Sequence, residues 1–228
     1  NAGAAGALIK RFTYSYDSAG NRTRVLESNG DRTTWTYDRA YQLRREQRSG
    51  LSAFHVTYSY DPAGNRLVQI DSGTRTTSSY DAANQLLTLG GVSVLHDDNG
   101  NLLFDGEFTY TYNSLDQLIN ASNGITGTLY GYNGDGDRLW QNTDGITTTF
   151  TLDLNSALAQ VIAQTPETVN GATTYFVPGA NAQQTQGVWS YLHTDGLGSV
   201  RHLTNAGGQL LGDLRYSPFG EVVEISGP

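Results

Sequence analysis

The sequence predicts an all-β chain built as a repetitive antiparallel β-hairpin ribbon, and three observations lead there. First, the stretch "YSYDSAGNRT" at 14–23 returns almost unchanged as "YSYDPAGNRL" at 58–67, with looser copies elsewhere. A catalytic motif needs to occur once, whereas a recurring pattern is a building unit. Second, the 228 residues include 27 Gly, 26 Thr and 14 Tyr but only 5 Pro. Thr and Tyr suit pleated surfaces, and Gly supplies turns. Third, long Leu/Ala/Glu/Lys stretches with helical periodicity are missing.

Aligned on an aromatic followed by Asp or Asn, the chain forms a ladder. Its rungs are Tyr16-Asp17, Tyr37-Asp38, Tyr60-Asp61, Tyr80-Asp81, His96-Asp97, Tyr112-Asn113, Tyr132-Asn133 and Leu152-Asp153. The steps between them are 21, 23, 20, 16, 16, 20 and 20 residues. A period near 20 residues marks a repeat architecture.

One unit explains the pattern. Tyr58 and Tyr60 lie two apart and so face the same side of a strand. Asp61 takes the first position of a tight turn, where its carboxylate can accept backbone N–H groups. Pro62 suits the second position, and Gly64 the fourth, where a left-handed conformation closes the hairpin. Arg66 and Leu67 begin the return strand. Asp17 and Gly20 repeat this spacing, as do Asp97 and Gly100, while Asn84 replaces Gly in "YDAANQLL". Further turns are expected at Asn29-Gly30, Asp71–Gly73, Asn123-Gly124 and Asp144-Gly145. Each repeat is then strand, turn, strand, turn, and the repeats form one continuous meandering sheet. Tyr, Leu and Trp are expected on one face, with Thr, Ser, Gln and Arg on the other.

Three segments follow from the ladder: a hairpin array over 1–153, an irregular connection over 154–190, and a closing segment over 191–228. In the connection, residues 156–164 suit a short helix by propensity, but Val161-Ile162 and the flanking Thr fit a strand equally. Regular turns resume at Asp195–Gly198 and Asn205–Gly208.

The repeats resemble the YD-repeat, or Rhs, family. "YSYDSAGNRTRV" and "YSYDPAGNRLVQI" match its YxYDxxGN/RL pattern over roughly residues 10–150, and "HTDGLGSVRHLTNAGG" with "YSPFGEVV" looks like the start of its core segment. The resemblance implies a ribbon coiling into part of a hollow β-shell or tube. Such shells enclose a C-terminal toxin in bacterial members and occur in teneurin adhesion proteins. Many bacterial members continue to an aspartate-driven self-cleavage motif. This sequence stops at "EISGP", ahead of where that motif would fall, and 228 residues look too few to close a shell.

Charge and composition narrow the function. The net charge of −8 argues against nucleic acid as a partner. Residues 1–75 hold Lys10 and ten arginines against seven carboxylates, +4, whereas 76–228 hold three arginines against fifteen, −12. Cys is absent, so disulfides, zinc–thiolate sites and cysteine nucleophiles are excluded. There is no Met, so Asn1 is expected to follow a cleavage or the chain to be a fragment. "NAGAAGAL" lacks the basic and apolar regions of a signal peptide, and no apolar run is long enough for a membrane span.

Each candidate site has a simpler structural explanation. Asn133, Asp135 and Asp137 open like a calcium loop, but Arg138 stands where Gly is required and no Glu follows at the twelfth position. "GLGSVR" lacks the third Gly of a nucleotide loop, and Ser199 is not in a nucleophile elbow. His55, His96, His193 and His202 are scattered, although His193 and Asp195 are close enough in sequence to meet. Asp17 and Asp61 read as turn caps rather than general acids. Trp35, Trp140 and Trp189 read as core residues rather than sugar platforms. Asn21 and Asn120 open glycosylation sequons, meaningful only in a eukaryotic secretory path.

The expected role is therefore non-catalytic, without metal or cofactor. The chain is read as a structural module of a secreted or cell-surface protein, without membrane insertion. Its repeat-turn residues are Tyr16, Asp17, Gly20, Tyr37, Asp38, Tyr60, Asp61, Gly64, Tyr80, Asp81, Asp97, Gly100, Tyr112, Tyr132, Asp195 and Gly198. Three functions fit: the wall of a toxin-encapsulating shell, a self-assembling fibre with head-to-tail contacts, and a carbohydrate-binding adhesin. The partners implied are neighbouring repeats, further copies of the chain, or cell-surface glycans.

Overall fold

A computed structural model of the chain describes residues 8–50, 53–155, 157–168, 171–177 and 179–227. Among the described residues there is no helix. The first sheet contains β1 (Phe12–Tyr16), β2 (Arg22–Glu27), β3 (Arg32–Tyr37), β4 (Leu43–Ser49) and β5 (Phe54–Tyr60). It continues through β6 (Arg66–Asp71), β7 (Thr74–Tyr80), β8 (Leu86–Leu89) and β9 (Val92–Ser93). The second begins with β10 (Leu95–His96), β11 (Leu102–Phe104), β12 (Thr109–Tyr112), β13 (Leu118–Ser122) and β14 (Gly127–Tyr132). Next come β15 (Arg138–Thr143), β16 (Ile146–Asp153), β17 (Gln160–Pro166), β18 (Thr174–Val177) and β19 (Ala182–Thr185). It closes with β20 (Val188–Thr194), β21 (Val200–Asn205), β22 (Leu210–Tyr216) and β23 (Val222–Ser226).

In both sheets spatial order equals chain order, and the paired strands are antiparallel. The fold is thus the all-β antiparallel hairpin ribbon that the repeats imply. It is not one continuous sheet, however: nine strands form one unit and fourteen the other, and the units divide at Leu95/His96. The reason is local. The period shortens to 16 residues around this point, and β9 and β10 are 2 residues each. Strands that short supply too few ladder bonds to carry pairing onward.

The strands follow from their residues. Four hairpins close through two-residue turns with positive φ at both positions: Ser72-Gly73, Gly90-Gly91, Asp144-Gly145 and Gln186-Gly187. That geometry matches the right-handed strand twist. Threonine hydroxyls meet across strands, at 3.0 Å for Thr128 and Thr143 and 2.8 Å for Thr174 and Thr185. This accounts for part of the Thr richness. In the segment that suited either helix or strand, the structure has β17. Ser156 lies outside the described residues.

In the first sheet one face is closed and the other open. Val25, Glu27, Thr33, Trp35, Glu46, Arg48, Val56 and Tyr58 are all buried, at alternate positions of β2 to β5. The expected split into apolar and polar faces holds only in part, because this closed face also buries charge. Trp35 Nε1 donates to Glu46 Oε2 at 2.6 Å, and Lys10 Nζ lies 3.5 Å from Glu27. Buried charge persists where partners of this kind replace water.

Candidate functional site: the repeated turn and its tyrosine latch

The turn is built from its first residue. In the copy at 61–65, Asp61 Oδ1 accepts from the Ala63 and Asn65 backbone N–H groups, both at 2.9 Å. Asn65 Nδ2 donates to Asp61 Oδ2 at 2.9 Å. The Gly64 N–H donates to the Asp61 carbonyl at 3.1 Å, and the Asp61 N–H to the Asn65 carbonyl at 3.0 Å. Asp17 and Asp97 bind Asn21 and Asn101 in the same way.

Asp38, Asp81, Asn113, Asn133, Asp195 and Asn205 accept the same two backbone N–H groups. At Asp153 the first of these bonds forms, from Asn155 at 2.9 Å. The Asn133–Asp137 stretch, which opens like a calcium loop, is one more copy, with Asn133 Nδ2 donating to Asp137. Among the described residues no three His, Asp or Glu are grouped to hold a metal ion.

Among the described residues the fourth position of these turns has positive φ. Gly20, Gly64, Gly100, Gly136, Gly198, Gly208 and Gly220 meet this at no steric cost. Asn84 does so at φ 63° as expected, but Tyr41 at 61° and Asp116 at 56° are residues the sequence pattern did not flag. The asparagine after the glycine, at 21, 65 and 101, is marked in the sequence by the recurring "GN" alone. It sets the electrostatics: the asparagine side-chain bond, aided by backbone N–H groups, holds the carboxyls of Asp17, Asp61 and Asp97 below their ordinary value.

A second recurring contact ties each repeat to the one before. The phenol of Tyr37 donates to the Arg22 carbonyl at 2.8 Å, and that of Tyr60 to Leu43 at 2.8 Å. Tyr80 reaches Arg66 at 3.0 Å, Tyr132 reaches Leu118 at 2.7 Å, and Tyr216 reaches Val200 at 2.9 Å. Tyr112 is hydrogen-bonded to the backbone of Leu102. For Tyr37, Tyr60, Tyr80, Tyr112 and Tyr132 the tyrosine before one turn meets the fifth residue after the start of the preceding turn of this kind, whereas Tyr216 reaches the fifth residue after Asp195, past the intervening Asn205 turn. Tyr16, before the first turn, is 61% exposed. Burial raises the phenol pKa of Tyr37, Tyr60 and Tyr112.

The arginine of "GNR" has its own place. Arg22 lies over Tyr14 at 5.6 Å and over Trp35, of the next repeat, at 4.1 Å. Arg66 covers Tyr58 at 5.7 Å, and Arg138 covers Tyr130 at 5.6 Å and Phe150 at 5.1 Å. The guanidinium thereby stacks on the first tyrosine of the motif and, where an aromatic follows, on the next repeat.

The remaining candidates separate. His193 Nε2 bonds Thr204 Oγ1 at 2.8 Å, while Asp195 caps its turn and lies 3.5 Å from Arg201. His202, 2% exposed, pairs in register between His193 and Asp213, with its Nδ1 3.5 Å from Asp213 Oδ1. Arg215 lies 3.3 Å from Glu224. Nothing in the linear spacing marked these pairs. Trp35 is a core residue, but Trp140 and Trp189 are each 37% exposed. Trp140 leans over Gly131, where a Cβ would come within 2.1 Å of its indole.

Comparison with known proteins places this geometry. Teneurin-1 of Gallus gallus is 25% identical over 229 residues, covering 97% of this chain and 8% of that protein. The tRNA3(Ser)-specific nuclease WapA of Bacillus spizizenii is 27% identical over 157 residues, 67% of this chain and 7% of that one. The chain therefore spans under a tenth of these curated relatives. A crystal structure of TcdB2-TccC3-Cdc42 aligns over 94% of this chain and 16% of that one, with a TM-score of 0.41 at 14% identity. The family model for the teneurin YD-shell matches residues 9–228. Repeated turn, tyrosine latch and family match agree: the chain belongs to the teneurin YD-shell family.

Proposed function

We propose that this chain is a non-catalytic stretch of wall in a larger secreted or cell-surface protein, enclosing a cargo segment of toxin type. The observation that carries the reading is the latch. Within each sheet a backbone ladder joins every strand to the next, and phenol-to-carbonyl bonds from Tyr37, Tyr60, Tyr80, Tyr132 and Tyr216 tie repeats together, so each sheet is a continuous surface rather than a row of separate hairpins. Such a surface divides one compartment from another without reacting with either. Strand β1 and strand β23 each pair on one side within their sheets, and an end strand is a template for a further strand. Neighbouring repeats of a longer wall are the natural partners. The nuclease activity named for the Bacillus relative is that of a protein of which this chain matches 7%.

Cryo-electron microscopy of the full-length gene product tests the reading. A closed hollow particle with this ribbon in its wall supports it. Regular filaments with both faces of the ribbon in solvent would sink it.

A second reading, a self-assembling fibre, draws on charge. Residues 8–95 carry Lys10 and ten arginines against eight carboxylates, +3, and residues 96–228 carry three arginines against fourteen, −11. Opposite charges on different copies favour head-to-tail contact, and filaments held that way should dissolve as salt rises. The adhesin reading rests on the exposure of Trp140 and Trp189 together with Tyr175, 53% exposed.

A further inference from the structure

The second sheet has a depression between β15 and β20 that the repeated turn and latch do not explain. Its volume is about 450 Å³, and its apolar lining includes Phe150, Phe176 and Leu192. That volume falls within the range of small-molecule sites. The polar lining is Arg138, Gln160, Gln164 and Asn181. Phe150 pairs in register with Gln164, so a ring and an amide stand side by side across β16 and β17.

Arg138 differs from its counterparts in the first sheet. Arg22 and Arg66 stack on the tyrosines of their own motifs and are half-buried, whereas Arg138 is exposed. Its guanidinium lies 5.6 Å from the Tyr130 ring and 5.1 Å from the Phe150 ring, so rings rather than an ion pair fix its place. Among the described residues no carboxylate lines the depression or pairs with Arg138. Asp153, in register with Gln160, instead accepts from the Asn155 N–H at 2.9 Å. The other arginines of this sheet have carboxylate neighbours: Arg201 lies 3.5 Å from Asp195 and Arg215 3.3 Å from Glu224. The side-chain amides of Gln160, Gln164 and Asn181 form no hydrogen bond to the described residues.

We propose that this depression binds a small aromatic carboxylic acid in its ionised form. The planar fork of Arg138 matches a carboxylate with two parallel hydrogen bonds. Phe150 and Phe176 give a flat ring aromatic contact, and the three amides can bond polar ring substituents. One guanidinium matches one negative charge. A phosphate monoester carries about two at neutral pH, and residues 96–228, with three arginines against fourteen carboxylates, net −11, repel the second. A fatty acid fits less well, because ordering a flexible chain in an open depression costs rotamer freedom that a rigid ring does not lose. The inference does not depend on the wall reading.

The test titrates cinnamate into the intact 228-residue chain and follows backbone amide shifts by NMR. Shifts should centre on β15 to β18 and saturate with a Kd of about 0.1–1 mM, as one charged contact and one covered ring allow. Cinnamyl alcohol, which keeps the ring and loses the charge, should bind at least about tenfold more weakly. Arg138→Gln should weaken cinnamate by about tenfold and leave the alcohol within about twofold, whereas Arg39→Gln, in a turn of the first sheet, should change neither. Arg138→Lys keeps the charge without the fork and should fall between; it carries the comparison if thermal unfolding shows that Arg138→Gln does not fold. Absence of saturable shifts at about 10 mM cinnamate overturns the proposal, as do shifts centred outside β15 to β20. Equal binding of the alcohol would remove the ion pair, and tighter binding of phenyl phosphate would remove the carboxylate assignment; either result also overturns it.

Discussion

In the first sheet, the face bearing Tyr14, Trp35 and Tyr58 is closed by large side chains stacked under arginine, with Trp35 8% and Tyr58 5% exposed. The middle of the second sheet, β13 to β20, is built on the same turn and latch, yet among the described residues its buried apolar side chains are only Ala121, Ala163 and Ala182. Its tryptophans stay in partial contact with solvent. The comparison separates two sources of order. Turn capping, latches and the backbone ladder suffice to set register, and burial of large side chains is added where the repeat supplies them. Buried apolar area dominates stability, so the two sheets should respond very differently to the same kind of substitution.

The largest contrast is between tryptophans. Trp35→Ala removes a buried ring, its bond to Glu46 and its stacking under Arg22, and should cost about 3–5 kcal/mol. Trp189→Ala, at a partly exposed site, should cost under about 1 kcal/mol. Urea unfolding read by hydrogen–deuterium exchange in β3–β5 and β18–β20 checks both, and equal costs would refute the distinction.

The latch comes next. Tyr60→Phe deletes one phenol-to-carbonyl bond and leaves the Leu43 carbonyl short of a partner, costing about 1–1.5 kcal/mol. Tyr16→Phe, at an exposed phenol, should be neutral within about 0.5 kcal/mol. If the two behave alike, the bond is incidental to stability.

Tyr41→Gly should stabilise the chain by about 1 kcal/mol, since it relieves a positive φ that a side chain tolerates poorly. A fall in the urea midpoint would mean that the tyrosine ring contributes more than its backbone costs.

The smallest effects are those of pH. Asp17, Asp61 and Asp97 have depressed folded pKa values, so their contribution is present above the ordinary value of 3.8 and is lost as pH falls through the folded values. Tyr37 and Tyr60 are raised by burial, so theirs is full below 10.0 and is lost as pH rises through the folded values. Asn65→Leu should return the Asp61 carboxyl toward its ordinary value in an NMR titration, with Asp17 unchanged. Movement of both would show that the asparagine bond is not the cause.

Much of this was legible in the chain itself. The positions of Asp17, Asp61 and Asp97 relative to Gly20, Gly64 and Gly100 spell out the turn, because a capping carboxylate and a left-handed fourth residue are both local requirements. The tyrosine latch was half legible: the rung named the tyrosine, but its acceptor sits on the strand that follows the preceding turn. His202 beside Asp213, and Trp140 over Gly131, gave no linear signal, since cross-strand partners are set by register rather than by spacing.

By itself, then, the sequence determined the element type, the turn chemistry and the order of the strands, because each depends on a few consecutive residues. The tertiary structure decided that the ribbon divides at Leu95/His96, where the sequence shows only a shortened period. It also decided which face closes over Trp35 and which stays open around Arg45. Those outcomes depend on how many ladder bonds a short strand can add, and on which side chains meet across strands 10 to 20 residues apart in the chain.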